Sequence, residues 1–420
     1  MKMDTHLLQT PFRLPCGAVL ANRLVKAATT ERLSKADFFP PSSIVRLYDQ
    51  WADAGAGLMI SGNILVDRRH LESAGNVVAD TAAAIPYLKT WTAAARKNGQ
   101  HFWAQISHAG RQTNRFVNWH PKAPSAVQLK KIGLFGMPRA MSTKDIEQII
   151  RSFVQTAVIC REGGFTGVQI HAAHGYLLSQ FLSPATNQRS DEWGGSLENR
   201  SRLLLRIVRE VRQALGADFP ISVKINSADF QKGGFSEAEA LEVVHMLSNE
   251  KIDLLEISGG TYEKVAFFLL NEDNMRESTR RREAYFIDFA QKVRAVSTLP
   301  LMVTGGFRTY VFADEVLRRG ELDFIGMARP FIVAHTDIPA FMAGKLPVLP
   351  NSILRTGLPF LEDAAEAGYY ARQIIRLGQG KPVHSNLHPL SSVFFLIAHE
   401  IRKALSKRIS STLRRSSILR

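Results

Sequence analysis

The chain has 420 residues, of which 45% are hydrophobic and 22% charged, and a formal net charge of +15. This length and balance suffice to bury a large core and exclude a disordered, collagen-like or disulfide-rich secreted chain. The two cysteines, Cys16 and Cys160, are too few for a four-cysteine metal or iron–sulfur site and fit a reducing, cytoplasmic setting.

The opening MKMDTHLLQTPFRL lacks the long apolar run of a signal peptide. Beyond it, short apolar runs alternate with longer amphipathic stretches. Strands are predicted over 22–27, 57–61, 101–107, 167–172, 221–227, 252–258, 300–305 and 323–328. Several are almost continuously apolar, the pattern of parallel strands buried on both faces. Helices are predicted over 42–54, 86–97, 143–162, 197–214, 237–249 and 280–296. Ser142-x-x-Asp145 and Ser236-x-x-Glu239 resemble capping boxes, while Gly163-Gly164 and Gly216 stand where helices should stop. The long stretch between 107 and 143 holds several Pro and Gly and is expected to cross the barrel mouth. Eight strands alternating with helices predict an α/β fold, a (β/α)8 TIM barrel over 1–345. An open doubly wound sheet is the alternative, weakened because no G-x-G-x-x-G follows the first strand.

Residues 346–420 are expected to form a helical, basic C-terminal extension with 11 Lys/Arg against 4 Asp/Glu. A connector at 347–359 precedes a helix at 362–377. The tail is apolar at Val393, Phe394, Phe395, Leu396, Ile397, Ile401 and Leu405 and basic at Arg402, Lys403, Lys407, Arg408, Arg414 and Arg415. The plain reading is a helix that packs Phe394 and Leu396 on the barrel and leaves its charges in solvent. Peripheral contact with an anionic membrane is the alternative. Nucleic acid is not expected, because aromatics are not interleaved with the basic cluster.

Barrel chemistry sits at the C-terminal ends of the strands. The polar residues expected there are Thr30, Ser61-Gly62-Asn63, Gln105, His108, His171, His174, Tyr176, Lys224 and Asn226. Gly305-Gly306 and the turn through Ala328-Arg329 fall where barrels bind phosphate, with close backbone approach and a guanidinium. The alternative is tight turns and an Arg329 that bridges to a surface carboxylate. His171-x-x-His174 reads as structural histidines, as a metal pair, or as donors to a substrate oxygen beside the Tyr176 phenol. The metal reading is weak because no other strand end shows an obvious Asp or Glu. Lys224, within ISVKINS, reads as a solvated rim lysine or as a fixed cation inside the mouth.

The stretch HAAHGYLLSQFLSPATNQRSDEWGGSLENRSRLLLRIVREVR, 171–212, resembles the Old Yellow Enzyme family of FMN-dependent ene-reductases. NRLVKAATTERL, AQISHAGRQ, VKINSADFQKGGF, TGGFRT and GMARPF agree with it in order, over about residues 8–345. The resemblance implies a non-covalent FMN across the mouth, NAD(P)H as hydride donor and a small-molecule substrate. It implies that Thr30 bonds the flavin near O4, Gly62 and Asn63 form the strand-two turn beside the ring, and Gln105 reads the pyrimidine edge. Lys224 would face N1 and O2, with Gly305, Gly306, Ala328 and Arg329 as the phosphate cradle. His171 and His174 would hold a substrate carbonyl oxygen and Tyr176 would donate the proton. The implied reaction is reduction of an α,β-unsaturated carbonyl or similar activated alkene. Isomerisation or oxidative demethylation at the same site is the alternative, and a metal-dependent barrel hydrolase is a weaker one. A homo-oligomer is compatible with the resemblance. The sequence departs from the family at Ala28-Thr29, where Pro-Met is usual, at Glu31 and Lys224, where Arg is usual, and at Trp193, where Tyr is usual. ISGGTYE, 257–263, resembles a less-studied branch of the family.

Overall fold

Eight parallel strands close on themselves in the computed structural model, which describes residues 6–130, 133–259, 275–350, 354, 356 and 359–418, with the backbone alone at 275–285, 359–360 and 408–418. The segment 260–263 of the branch-like stretch lies outside the described residues, as does part of the connector. The barrel strands are β1 Leu24–Lys26, β2 Leu58–Leu65, β3 His101–Ser107, β4 Gly167–Ala172, β5 Ile221–Asn226, β6 Leu254–Ser258, β7 Leu301–Thr304 and β8 Phe324–Met327. Closure is by β8 on β1, Ile325 opposite Leu24, and β1 on β2, Val25 opposite Leu58. The TIM-barrel expectation holds, and the open sheet is overturned.

The helices are α1 Ser42–Ala52, α2 Ile85–Ala95, α3 Thr143–Glu162, α4 Leu177–Leu182, α5 Leu197–Leu215, α6 Glu237–Ser248, α7 Met275–Val296, α8 Tyr310–Arg318, α9 Arg329–Val333, α10 Ile338–Met342, α11 Pro359–Gly378 and α12 Pro389–Ile418. Both capping boxes form, at Ser142 with Asp145 and at Ser236 with Glu239, so orphan N–H groups of α3 and α6 are satisfied within the first turn. Gly163 and Gly216 cap the ends of α3 and α5. The unpredicted α8 has only nine residues, too few for a clear period, and opens without a side-chain cap.

Period-two alternation stacks the barrel interior in layers. The lowest layer is apolar, with Leu58, Trp103, Leu254, Met302 and Phe324 in one cluster closed from below by Leu14 and Leu20 of the N-terminal hairpin. Gly167 belongs to this level, since a Cβ there would meet the Trp103 indole at 2.5 Å. Two residues further along each strand, the same inward parity gives Gln105, Gln169, Lys224 and Glu256. Two further again it gives His171, Asn226 and Ser258. The interior therefore turns from apolar to polar towards the C-terminal mouth.

The extension packs on the barrel through α11, against α1, α9 and α12. The expected orientation of the tail fails at Phe394 and for part of its charge, while Val393 is buried, Leu396 half-buried and Arg402 exposed. Phe394, Ile397 and Leu405 are 72%, 44% and 53% exposed, whereas His399, Glu400 and Lys407 are buried. The reason lies in the loop after β1. It presents the Arg32, Leu33 and Ser34 carbonyls and the Arg32 guanidinium, which need polar partners when covered. No helix among the described residues is long and apolar enough to cross a membrane.

Candidate active site

The segment after β4 brings three rings together. His171, on the last inward turn of β4, meets His174 and Tyr176 edge-on, with centroids 5.0 and 4.9 Å away. His174 has a left-handed backbone, φ 61°, fixed from three sides. Its N–H donates to Asn226 Oδ1 at 3.0 Å and its carbonyl accepts from Gln112 Nε2 at 2.9 Å. Its Nε2 lies 2.7 Å from Ser258 Oγ. Gln112 belongs to the excursion over the mouth, so that segment is tied directly to the site. His171 Nδ1 accepts from the Ala173 N–H at 3.2 Å, which leaves the proton of a neutral ring on Nε2. Burial first, then the nearby His174 and Lys224 charges, push His171 well below the usual imidazole range. Burial and Lys224 do the same for His174. Both rings are therefore neutral at pH 7.

Below them Lys224 is buried and paired with Glu256, Nζ to Oε1 2.8 Å, directly opposite on β6. Glu256 Oε2 accepts from Gln169 Nε2 at 2.7 Å, and Gln169 Oε1 accepts from Gln105 Nε2 at 2.6 Å. Lys224 is thus no solvated rim lysine. Gln105 is already engaged with a neighbour on β4.

On the opposite side, Gly62 and Asn63 do not form a strand-end turn. They lie within β2 at a bulge where one extra residue separates Ile60 opposite Trp103 from Asn63 opposite Gln105. Asn63 Nδ2 donates to Glu72 Oε2 at 2.6 Å, and Thr30 Oγ1 donates to Glu72 Oε1. The Gly62 N–H donates to Glu31 Oε1 at 2.8 Å, which also accepts from the Tyr48 phenol at 2.6 Å. A Cβ at Gly62 would lie 2.2 Å from Glu31 Oε2. Behind them the fully buried Lys26 donates to Thr29, Tyr48 and the Ile60 carbonyl. Burial lowers its ammonium to about 7, partly opposed by Glu31. Burial likewise raises Glu31, against Lys26 and its two donors.

The sequence shows no obvious Asp or Glu at the strand ends, and the acids of the site lie elsewhere. Glu31, Glu72 and Glu256 all line it, one residue or more away from the strand ends. Glu256 carried a readable signal, since it shares parity with Leu254 and Ser258 in an apolar strand. Glu72 lies in a loop and had none, and Glu31 stood out only as a departure from the family pattern. Among the described residues, the histidine–carboxylate grouping close enough to hold a metal is Asp67, His70 and His108, not His171 or His174. Asp67 there is engaged by Arg69 and by His70 Nδ1, and His70 Nε2 accepts the Lys122 N–H at 3.0 Å. This cluster ties the β2 loop to the excursion.

At the far edge Gly305 and Gly306 have φ of 114° and 87°, a turn that side chains rarely adopt. Gly326 lets β8 approach Thr304, whose Oγ1 would sit 2.1 Å from a Cβ there. Arg329, at the start of α9, pairs with Glu366 of α11 at 2.8 Å, the carboxylate bridge weighed against phosphate binding.

The chain matches the NADH:flavin oxidoreductase / NADH oxidase family over residues 8–342. It belongs to that family. As such it is a flavin-dependent NAD(P)H oxidoreductase. It is 35% identical to the NADH-dependent flavin oxidoreductase iliE of Hypocrea jecorina over 82% of this chain and 88% of that one. It is 35% identical to the iliE protein of Neonectria, where the match takes in 77% of this chain but only 45% of the relative. Among solved structures, an old yellow enzyme homologue from Zymomonas mobilis superposes with a TM-score of 0.69 at 25% identity, over 82% of this chain and 94% of that one. Morphinone reductase in complex with tetrahydroNAD superposes with a TM-score of 0.68 at 26% identity, over 82% and 92%.

Two orphaned polar groups at the mouth are of the kind a flavin would engage. Among the described residues, Asn63 Oδ1 and Thr304 Oγ1 are buried at the mouth without a hydrogen-bond partner, although such groups rarely stay unpaired. At Gly62 and Gly326 a Cβ would meet Glu31 Oε2 and Thr304 Oγ1, so both glycines are required by the packing of the site itself.

Proposed function

We propose that the enzyme binds FMN non-covalently across the mouth and reduces the activated double bond of an α,β-unsaturated carbonyl compound with electrons from NAD(P)H. FMN held there would supply two-electron hydride chemistry between the nicotinamide and the alkene. Asn63, Gln105 and Thr30 would border the ring system, with Gly62 beside it and Lys224 beneath. Gly305, Gly306, Ala328 and Arg329 would receive the phosphate, with Arg329 turning from Glu366 to the stronger anion.

The observation that carries this reading is the convergence of His171, His174 and Tyr176. Two neutral imidazoles donate to the carbonyl oxygen of the substrate and draw electron density from its β-carbon. Hydride would arrive there, and the Tyr176 phenol would deliver the proton to the α-carbon and regain one from solvent, which balances a two-electron, two-proton reduction. The same residues bind an isomerisation or demethylation substrate only if its oxygen reaches both imidazoles.

Protein loaded with FMN is expected to show the flavin absorption band, to bleach anaerobically with NADH or NADPH, and to regain colour with an enone. Protein that takes up no FMN would overturn the reading. Bleaching without enone-driven recovery would leave the flavin assignment and remove the alkene.

A second reading concerns α12. Its outward stripe of Phe394, Ile397 and Leu405, with the exposed Arg402 beside it, favours peripheral contact with anionic lipid. The inward Lys403 and Lys407 take no part. Full-length protein is expected to co-sediment with phosphatidylserine vesicles, and a Phe394→Ser/Ile397→Ser variant to stay in solution. Equal behaviour of the two proteins would remove the contact.

A further inference from the structure

We propose that Glu400, carried by the C-terminal helix α12, is a positioning residue that holds the Thr30–Glu72–Asn63 set in the geometry that receives the flavin, an inference that rests on the FMN reading above. Glu400 is buried at the seam between the loop after β1 and the loop after β2. Its Oε1 accepts from Arg32 Nη1 and from Ser73 Oγ, both at 2.6 Å, and its Oε2 accepts the Ala74 N–H at 2.8 Å. One loop is thus joined to the other through a single carboxylate.

Both attachment points adjoin the flavin-facing bond. Arg32 is two residues from Thr30 and Ser73 is next to Glu72, and Thr30 donates to Glu72. The loops also touch backbone to backbone. The Ser34 N–H donates to the Gly75 carbonyl at 2.9 Å, and a Cβ on Gly75 would lie 2.3 Å from the Arg32 carbonyl oxygen. A seam this tight transmits a shift in one loop to the other.

Arg32 needs external support, since its φ of 60° is a left-handed conformation that costs a non-glycine residue about 1 kcal/mol or more. One face of α12 provides it. His399 Nε2 lies 2.9 Å from the Arg32 carbonyl, Lys403 Nζ donates to the Leu33 and Ser34 carbonyls at 2.9 and 2.7 Å, and Lys407 Nζ donates to Ser34 Oγ at 3.2 Å. Burial tends to raise the Glu400 carboxyl, but the Arg32 charge and the Ser73 and Ala74 hydrogen bonds outweigh it and hold it below the usual carboxylate range. The carboxylate is ionised at neutral pH and accepts from three donors at once. An amide at this position would turn an NH2 towards one of them.

The test compares wild-type holoenzyme with Glu400→Gln and reads three quantities: the FMN dissociation constant, the flavin midpoint potential and the melting temperature of the apoprotein. Glu400→Gln is expected to weaken FMN binding roughly 10–100-fold, the effect of losing a charged hydrogen bond, and to shift the potential. Unchanged binding and potential would overturn the proposal. So would weaker binding with an unchanged potential and a matching fall in apoprotein melting temperature, which marks a role in stability alone. Should Glu400→Gln not fold, Ser73→Ala removes one donor from the same carboxylate and is read in the same way. A wild-type protein that binds no FMN would instead refute the FMN reading itself.

Discussion

Tyr176→Phe is expected to slow reoxidation of the reduced enzyme by an enone about 10²–10⁴-fold, the usual contribution of a positioned general acid, while reduction by NAD(P)H keeps its rate. The substitution removes one oxygen and keeps the ring that packs edge-on against His171. His171 and His174 keep their backbone anchors, so the carbonyl-binding pair stays in place. Anaerobic stopped-flow absorption separates the two half-reactions. Equal slowing of both would show that Tyr176 supports the site as a whole, and the proton-donor role would fall.

The second large effect concerns stability. Lys224→Met is expected to destabilise the apoprotein by about 3–5 kcal/mol, because it strands the Glu256 carboxylate in the barrel without its counter-ion. Glu256 has no exposed surface, and the pair is closed at 2.8 Å. Removing the second charge as well should restore most of the loss. Lys224→Met/Glu256→Gln keeps an acceptor for Gln169 and leaves no buried ion, so it should unfold at a denaturant concentration near that of the parent. Denaturant titration of the three proteins checks this. A single variant as stable as the parent would mean that water reaches Glu256 and that the pair is not a dry one.

Both predictions also bear on cofactor electrostatics. The sequence alone presents Lys224 as a lone cation. In the fold it is half of a neutral pair, so whatever it stabilises must compete with Glu256. Arg329 is similar, since Glu366 of the extension already engages it. In each case the partner comes from another part of the chain, brought there by barrel closure or by the packing of α11.

The amino-acid sequence by itself determined the eight strands, the main helices around them and the family. Those depend on signals carried within a few residues: apolar runs that must be buried on both faces, Ser-x-x-Asp/Glu boxes that satisfy a first turn, and glycines where the backbone has to turn back. It also placed His171, His174 and Tyr176 together, because they lie within six residues at one strand end. Tertiary structure alone decided that the loop acids Glu31 and Glu72 enter the mouth, that Gly62 and Asn63 sit on a bulge inside β2, and which face of α12 is buried. Hydrophobic periodicity pointed Phe394 inward. The fold turned it out, because the loop after β1 offered carbonyls and a guanidinium whose desolvation unpaired would cost more than leaving a few apolar side chains in water.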